Sequence, residues 1–189
     1  MATIFFYINS SKLDQVLRFG LKLSDNYSHT IPINNLQKRV FVGLLNPKDD
    51  LFKYDSEDYT CLKVDIYPEH CYVLNEVSLI LTPKNGDYGL IPLNEYNYGF
   101  YENPRVVFNS SILPEQIEVL DDTIDVPILF ESSKDLYYRI RVNELIDELD
   151  PSEVYFALCE YFDYKKPFNK SNLEWFYTRR YLQLLRLLS

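Results

Sequence analysis

The run from Ile4 to Leu21 constrains this chain more than any other stretch, because it holds in unbroken order the signals for a strand, a helix start, a helix and a helix stop. Ile4, Phe5, Phe6, Tyr7 and Ile8 are β-branched or aromatic, which suits a buried strand. Ser10 or Ser11 is placed to cap a helix whose Leu13, Val16 and Leu17 fall on one face. Gly20 follows the last periodic residues as a left-handed stop, and Leu21 can fold back on the preceding turn. A strand feeding straight into a short helix, followed by a series of short strands, predicts an α+β chain.

The strands follow in order. Arg39-Val40-Phe41-Val42-Gly43-Leu44-Leu45 reads as a short buried strand or turn, ended by the turn cluster Asn46-Pro47-Lys48-Asp49-Asp50. Cys61 to Ile66 alternates apolar and polar as a half-buried strand, Pro68 stops it, and Cys71 to Leu74 is a further strand. Val77 to Leu81 fits a strand or a helical turn equally. The polar segment from Leu21 to Gln37 reads as loop or short turns around Ile31-Pro32-Ile33, able to line a pocket. Pro83 to Pro104, rich in Tyr and Asn, reads as mostly loop with short pairing at Leu90 to Leu93. Arg105 to Phe108 is a compact strand, Ile112 to Ile117 a turn into one helical turn, and Ile117 to Leu120 a final strand.

The acidic run Asp121 to Asp125 marks a boundary, so the expected organisation is an α+β domain over 1–125 and a mainly helical extension over 126–189. Leu136, Tyr137, Ile140, Val142, Leu145, Ile146 and Leu149 recur at helical spacing, as do residues from Glu153 to Tyr161 and from Ser171 to Leu188. The last helix opens on the capping box Ser171-Asn172-Leu173-Glu174 and carries Trp175. Being apolar on several faces, it is either clamped into the domain or presented to a partner, including a second copy of the chain in a homodimer.

Composition narrows the function classes. Nineteen Lys and Arg against 28 Asp and Glu leave a formal charge of −9, which repels polyphosphate and argues against non-specific nucleic-acid binding. Cys61, Cys71 and Cys159 are too few and too widely spaced for a disulfide framework or a CxxC zinc site, so no metal is expected and a reducing, cytoplasmic setting fits. No apolar run is long enough for a membrane span, and the first residues lack the pattern of a signal peptide. Neither GxGxxG nor GxxxxGK[ST] occurs, which excludes the Rossmann and P-loop phosphate cradles.

The candidate chemistry is sparse. His70 beside Cys71 suggests a nucleophilic pair, but adjacent strand residues point to opposite faces. His29 with Thr30, in Tyr27-Ser28-His29-Thr30, is the better candidate for ligand contact from a loop. Asp49, Asp50, Asp55, Glu57 and Asp58 lack the spacing of a calcium loop and read as solubilising surface.

The strand with a polar end, the helix closed by Gly20-Leu21, the polar loop, and the segment Arg105-Val106-Val107-Phe108-Asn109-Ser110-Ser111-Ile112-Leu113-Pro114-Glu115-Gln116-Ile117 together resemble the ADP-ribosyltransferase superfamily, in particular its DarT-like and RNA 2′-phosphotransferase-like members. The resemblance covers residues 4 to 120. It implies an ADP-ribosyltransferase-like fold of split sheets with a C-terminal helical extension, NAD as cofactor, and transfer of ADP-ribose to a macromolecule. By the same resemblance Tyr7 stands where the family has its NAD-binding His and Asn9 where it has a Thr, with His29 and Thr30 adding to the NAD site. Arg105 occupies the position of the catalytic Glu, which leaves Glu102 as the candidate acid if the strand starts later or is bulged. A cation at that position would oppose the positive charge that develops as nicotinamide leaves. The alternative is an inactive protein-interaction module, such as an immunity or phage-defence protein, using the cleft and the last helix.

Overall fold

The computed structural model describes residues 1–22, 29–81, 83, 86–120, 132–147, 155, 158 and 159. The chain divides into two compact units, Met1–Arg139 and Ile140–Ser189. Asp121 to Asp125 and the helix expected from Ser171 to Leu188, with Trp175, lie outside the described residues.

The first unit is α+β, with two antiparallel sheets. β1 (Ala2–Asn9), β4 (Tyr59–Ile66) and β8 (Ile117–Val119) form a three-stranded sheet in the order β1-β4-β8. β2 (His29–Ile33), β3 (Leu36–Gly43), β7 (Pro104–Phe108), β5 (Cys71–Asn75) and β6 (Ile91–Pro92) form a five-stranded sheet in the order β2-β3-β7-β5-β6. The helices among the described residues are short: α1 (Leu13–Phe19), α2 (Leu51–Tyr54), α3 (Glu76–Ile80), and the longer α4 (Ser133–Asp147), whose last residues belong to the second unit.

Strand alternation explains why the larger sheet needs apolar residues on both faces. Phe41, Val73, Val106 and Phe108 enter the main core with Ile4, Leu62 and Val64, while their neighbours Val40, Leu74 and Val107 enter a second core with Ile31 and Ile33. A strand buried on both faces reads as a continuous apolar run, as Val40-Phe41-Val42 and Val106-Val107-Phe108 do. The rings of Phe41 and Phe108 stack with centroids 5.1 Å apart.

The two sheets meet where β1 passes the end of β3. Phe5 and Leu44 exchange backbone hydrogen bonds of 2.9 and 2.8 Å. A Cβ at Gly43 would lie 2.9 Å from Ile4 Cδ1, so glycine there permits the close approach.

Of the segment read as loop between Leu21 and Gln37, the part from His29 onward belongs instead to a β-hairpin. Its turn residues Asn34 and Asn35 both have positive φ, at 53° and 62°, the left-handed pair of a type I′ turn. Pro32 is tolerated because β2 is an edge strand. At α1 the cap is also displaced. Asn9 accepts from Ser11 N (3.0 Å) and caps a 3-10 turn over Ser10–Lys12, so neither Ser10 nor Ser11 caps α1 itself. Val16 is buried, but Leu17 is 39% exposed and leaves the expected apolar face. Val77 to Leu81 resolves as helix, since Asn75 caps α3 through Val77 N.

In the second unit, Val142 and Leu145 are buried against Ile146 and Leu158, and Tyr155, Leu158 and Cys159 are helical.

Candidate functional site

The polar groups of the first unit converge on the turn after β3. Asn46 starts a 3-10 turn over Pro47–Asp49, accepting from Lys48 N (2.9 Å) while Asp49 Oδ2 accepts from Asn46 N (3.1 Å). This capping box fixes the Asp49 carboxylate, and its Oδ1 and Oδ2 also accept from Ser133 N (2.6 Å) and Ser133 Oγ (2.8 Å) at the start of α4. Burial pushes the Asp49 carboxyl above the usual carboxylate range, against the opposing Ser133 bonds and the Arg105 charge. Asp49 is therefore a structural anchor, contrary to its reading as solubilising surface.

Arg105, the second residue of β7, donates to Glu76 Oε1 through Nη2 (2.8 Å) and Nε (3.0 Å). Its guanidinium also faces the Asp49 carbonyl at 3.4 Å. The β5–β7 ladder runs without a break from Cys71 opposite Phe108 to Asn75 opposite Pro104. β7 is thus neither bulged nor late, and Glu102 lies two residues before it. The Glu102 carboxylate meets Lys134 Nζ at 2.6 Å and accepts from Tyr138 Oη at 3.2 Å.

An aromatic loop precedes Glu102. Tyr96 is buried, stacks on Tyr101 at 5.8 Å and accepts from Tyr101 N, while Tyr101 Oη donates to Gly89 O at 2.6 Å. Tyr98 and Phe100 stand out from this frame, 58% and 61% exposed.

Tyr7 donates to Pro47 O at 2.8 Å. Burial, with the cross-strand Cys61 beside it, raises its phenol far above the ordinary range and keeps it a neutral donor. Tyr7, Arg105 and Glu102 thus belong to one chain of contacts, running through Pro47, Asp49, Ser133 and Lys134. Asn9 is exposed, and its carboxamide is occupied with Ser11 N and Ser11 Oγ. His29 and Thr30 begin the edge strand β2, opposite Val40 and Arg39, and β3 stands between them and β7. Glu76, Lys134, Tyr138 and Ser133 escape a reading by motif, since each earns its place through a partner at least 29 positions away. Only the Asn46-Pro47-Lys48-Asp49 capping pattern is a local signal for Asp49.

The segments that carry the family resemblance meet at α1. Leu21 N donates to Ile112 O (2.9 Å) and Ile112 N to Leu21 O (3.0 Å), so the Gly20-Leu21 stop pairs with the segment that leads into Pro114–Gln116.

This architecture defines an α+β protein with two antiparallel sheets. No family model, curated protein or solved structure matches the chain. Among the described residues no helix is long and apolar enough to cross a membrane. No group of three or more His, Cys, Asp or Glu among them could hold a metal ion.

Proposed function

We propose that the first unit is an ADP-ribosyltransferase-like domain that binds NAD or a related nucleotide without transferring ADP-ribose. The observation that carries this reading is the two-way backbone pairing of Leu21 with Ile112. It unites two segments, 91 positions apart by the difference of their residue numbers, whose combination is the basis of the resemblance.

The reading stops at binding because of the charges around β7. Transfer needs a carboxylate to hold the ribose and to stabilise an oxocarbenium-like cation. Arg105 is a cation, and its ion pair with Glu76 fixes it in place. The Glu102 carboxylate is paired with the Lys134 ammonium at 2.6 Å. An ammonium this close opposes the field that the carboxylate would offer a developing cation.

Calorimetric titration with NAD tests binding, and incubation of labelled NAD with nucleic acid and cell lysate tests transfer. The expected result is saturable one-site binding with no label incorporated. Incorporation that Glu102→Ala abolishes would overturn the non-transferring assignment.

A further inference from the structure

We propose that Tyr98 and Phe100, at the tip of the loop between β6 and β7, form a docking surface for an arginine-bearing segment of a partner protein. Phe100 N donates to Asn97 O at 3.1 Å and Gly99 has φ +88°, which makes residues 97–100 a type II turn with Tyr98 at its second position. Beneath the turn, Tyr101 N donates to Tyr96 Oη (3.2 Å) and Tyr101 Oη to Gly89 O (2.6 Å). The four rings touch in succession: Tyr98 meets Tyr96 with centroids 5.9 Å apart, Tyr96 meets Tyr101 at 5.8 Å, and Tyr101 meets Phe100 at 5.0 Å. The fold holds the inner pair, and the inner pair holds the outer. Tyr98 and Phe100 are therefore set in place before a partner arrives, which limits the side-chain entropy that binding removes. Exposed aromatic rings fixed in this way are the usual anchors of a protein interface.

Charge selects the partner. Over residues 85–104 the sequence carries Asp87, Glu95 and Glu102 and no Lys or Arg. Asp87 and Glu95 are exposed, and Asp87 accepts from Gly89 N (2.9 Å), the residue whose carbonyl receives Tyr101 Oη. Elsewhere the chain covers exposed rings with its own cations: the Arg18 guanidinium lies 5.2 Å from the centroid of Phe19, and Lys48 Nζ 5.5 Å from that of Tyr54. Among the described residues, no Lys or Arg stands over Tyr98 or Phe100. A ring face beside carboxylates attracts a cation, and a guanidinium suits it better than an ammonium because it stacks flat and is less strongly hydrated. The net charge of −9 draws in a basic segment and repels a phosphate-bearing surface or a second copy of the chain. This docking does not depend on the nucleotide reading above.

Fluorescence anisotropy with the full chain and two labelled peptides of equal length tests the surface. One peptide alternates arginine and glycine; the other carries citrulline, which keeps the shape without the charge, at every arginine. The arginine peptide should bind saturably at one site and the citrulline peptide should not. Tyr98→Ala and Phe100→Ala should each raise Kd about two- to fivefold, and Phe100→Leu, which keeps an apolar side chain but removes the ring, should raise it as much as Phe100→Ala. Phe52→Ala, which removes an exposed ring of α2, should leave Kd unchanged. Both tip rings are exposed, so these variants should keep the parent melting temperature. No saturable binding of the arginine peptide, equal binding of the citrulline peptide, full affinity in Phe100→Leu, or weakening by Phe52→Ala as large as that by the tip variants would overturn the proposal. A dimer in sedimentation that the tip variants dissolve would assign the face to a second copy and overturn it as well.

Discussion

Gly20 is the position where one residue type decides the local chain. Its φ is +72°, and a Cβ there would sit 2.1 Å from Ile112 O, inside the bond that joins α1 to the closing segment. Gly20→Ala should destabilise the first unit by roughly 2 to 4 kcal/mol, combining left-handed strain with displacement of the bridge. A lower urea midpoint at unchanged slope would register it. The thiols give a pH prediction. Burial pushes Cys61 up to about 11 and Cys71 up to about 12, from an ordinary 9.0. Between those values the unfolded chain releases protons that the folded chain keeps, so their stabilising contribution is complete below pH 9 and is lost as pH rises. Stability should fall between pH 9 and 11 by up to about 1.4 kcal/mol per pH unit per thiol. Cys71→Ala should reduce that slope in urea titrations at successive pH values. The Gly20 stop was readable in sequence because a left-handed glycine is a local requirement. The Asn9 cap was not, because Asn, Ser10 and Ser11 are equally able to start a helical turn and the geometry of β1 selects among them.

At the scale of elements, β1, β4, β5, β7 and the turn into β8 were legible, since each carries its own alternation or apolar run. The β2–β3 hairpin was not. Its polar turn residues read as loop, and Asn34-Asn35 is a weaker turn signal than Asn-Gly, although Asn adopts left-handed backbone more readily than most residues. That preference yields a prediction: Asn35→Gly, which creates the favoured Asn-Gly pair of a type I′ turn, should raise the urea midpoint slightly. The short α3 was ambiguous because five residues are too few for periodicity, and the Asn75 cap decides it. The charges of the candidate site were the least legible part. Arg105 and Glu76 are 29 positions apart, as are no two groups that a local pattern can join, and they meet only because β5 pairs with β7.

For the whole first unit, the contact between the two sheets is the structural keystone. Phe41 is fully buried, packs edge-on against Phe6 of β1 and stacks on Phe108 of β7. Phe41→Ala should cost about 3 to 5 kcal/mol, since the cavity would lie between sheets that cannot collapse onto it freely. Thermal denaturation would show the loss directly. The same packing ties β1 to the strand that carries Arg105, while the proposed nucleotide binding rests on the pairing of Leu21 with Ile112. Thermal shift with NAD tests that reading most directly. A ligand specific to the folded state, at a hundred times its Kd, adds about 2.7 kcal/mol and should raise Tm by about 5 to 10 °C for a chain of this size. A melting temperature that climbs with NAD concentration is the predicted result; one that stays fixed up to millimolar NAD would contradict it.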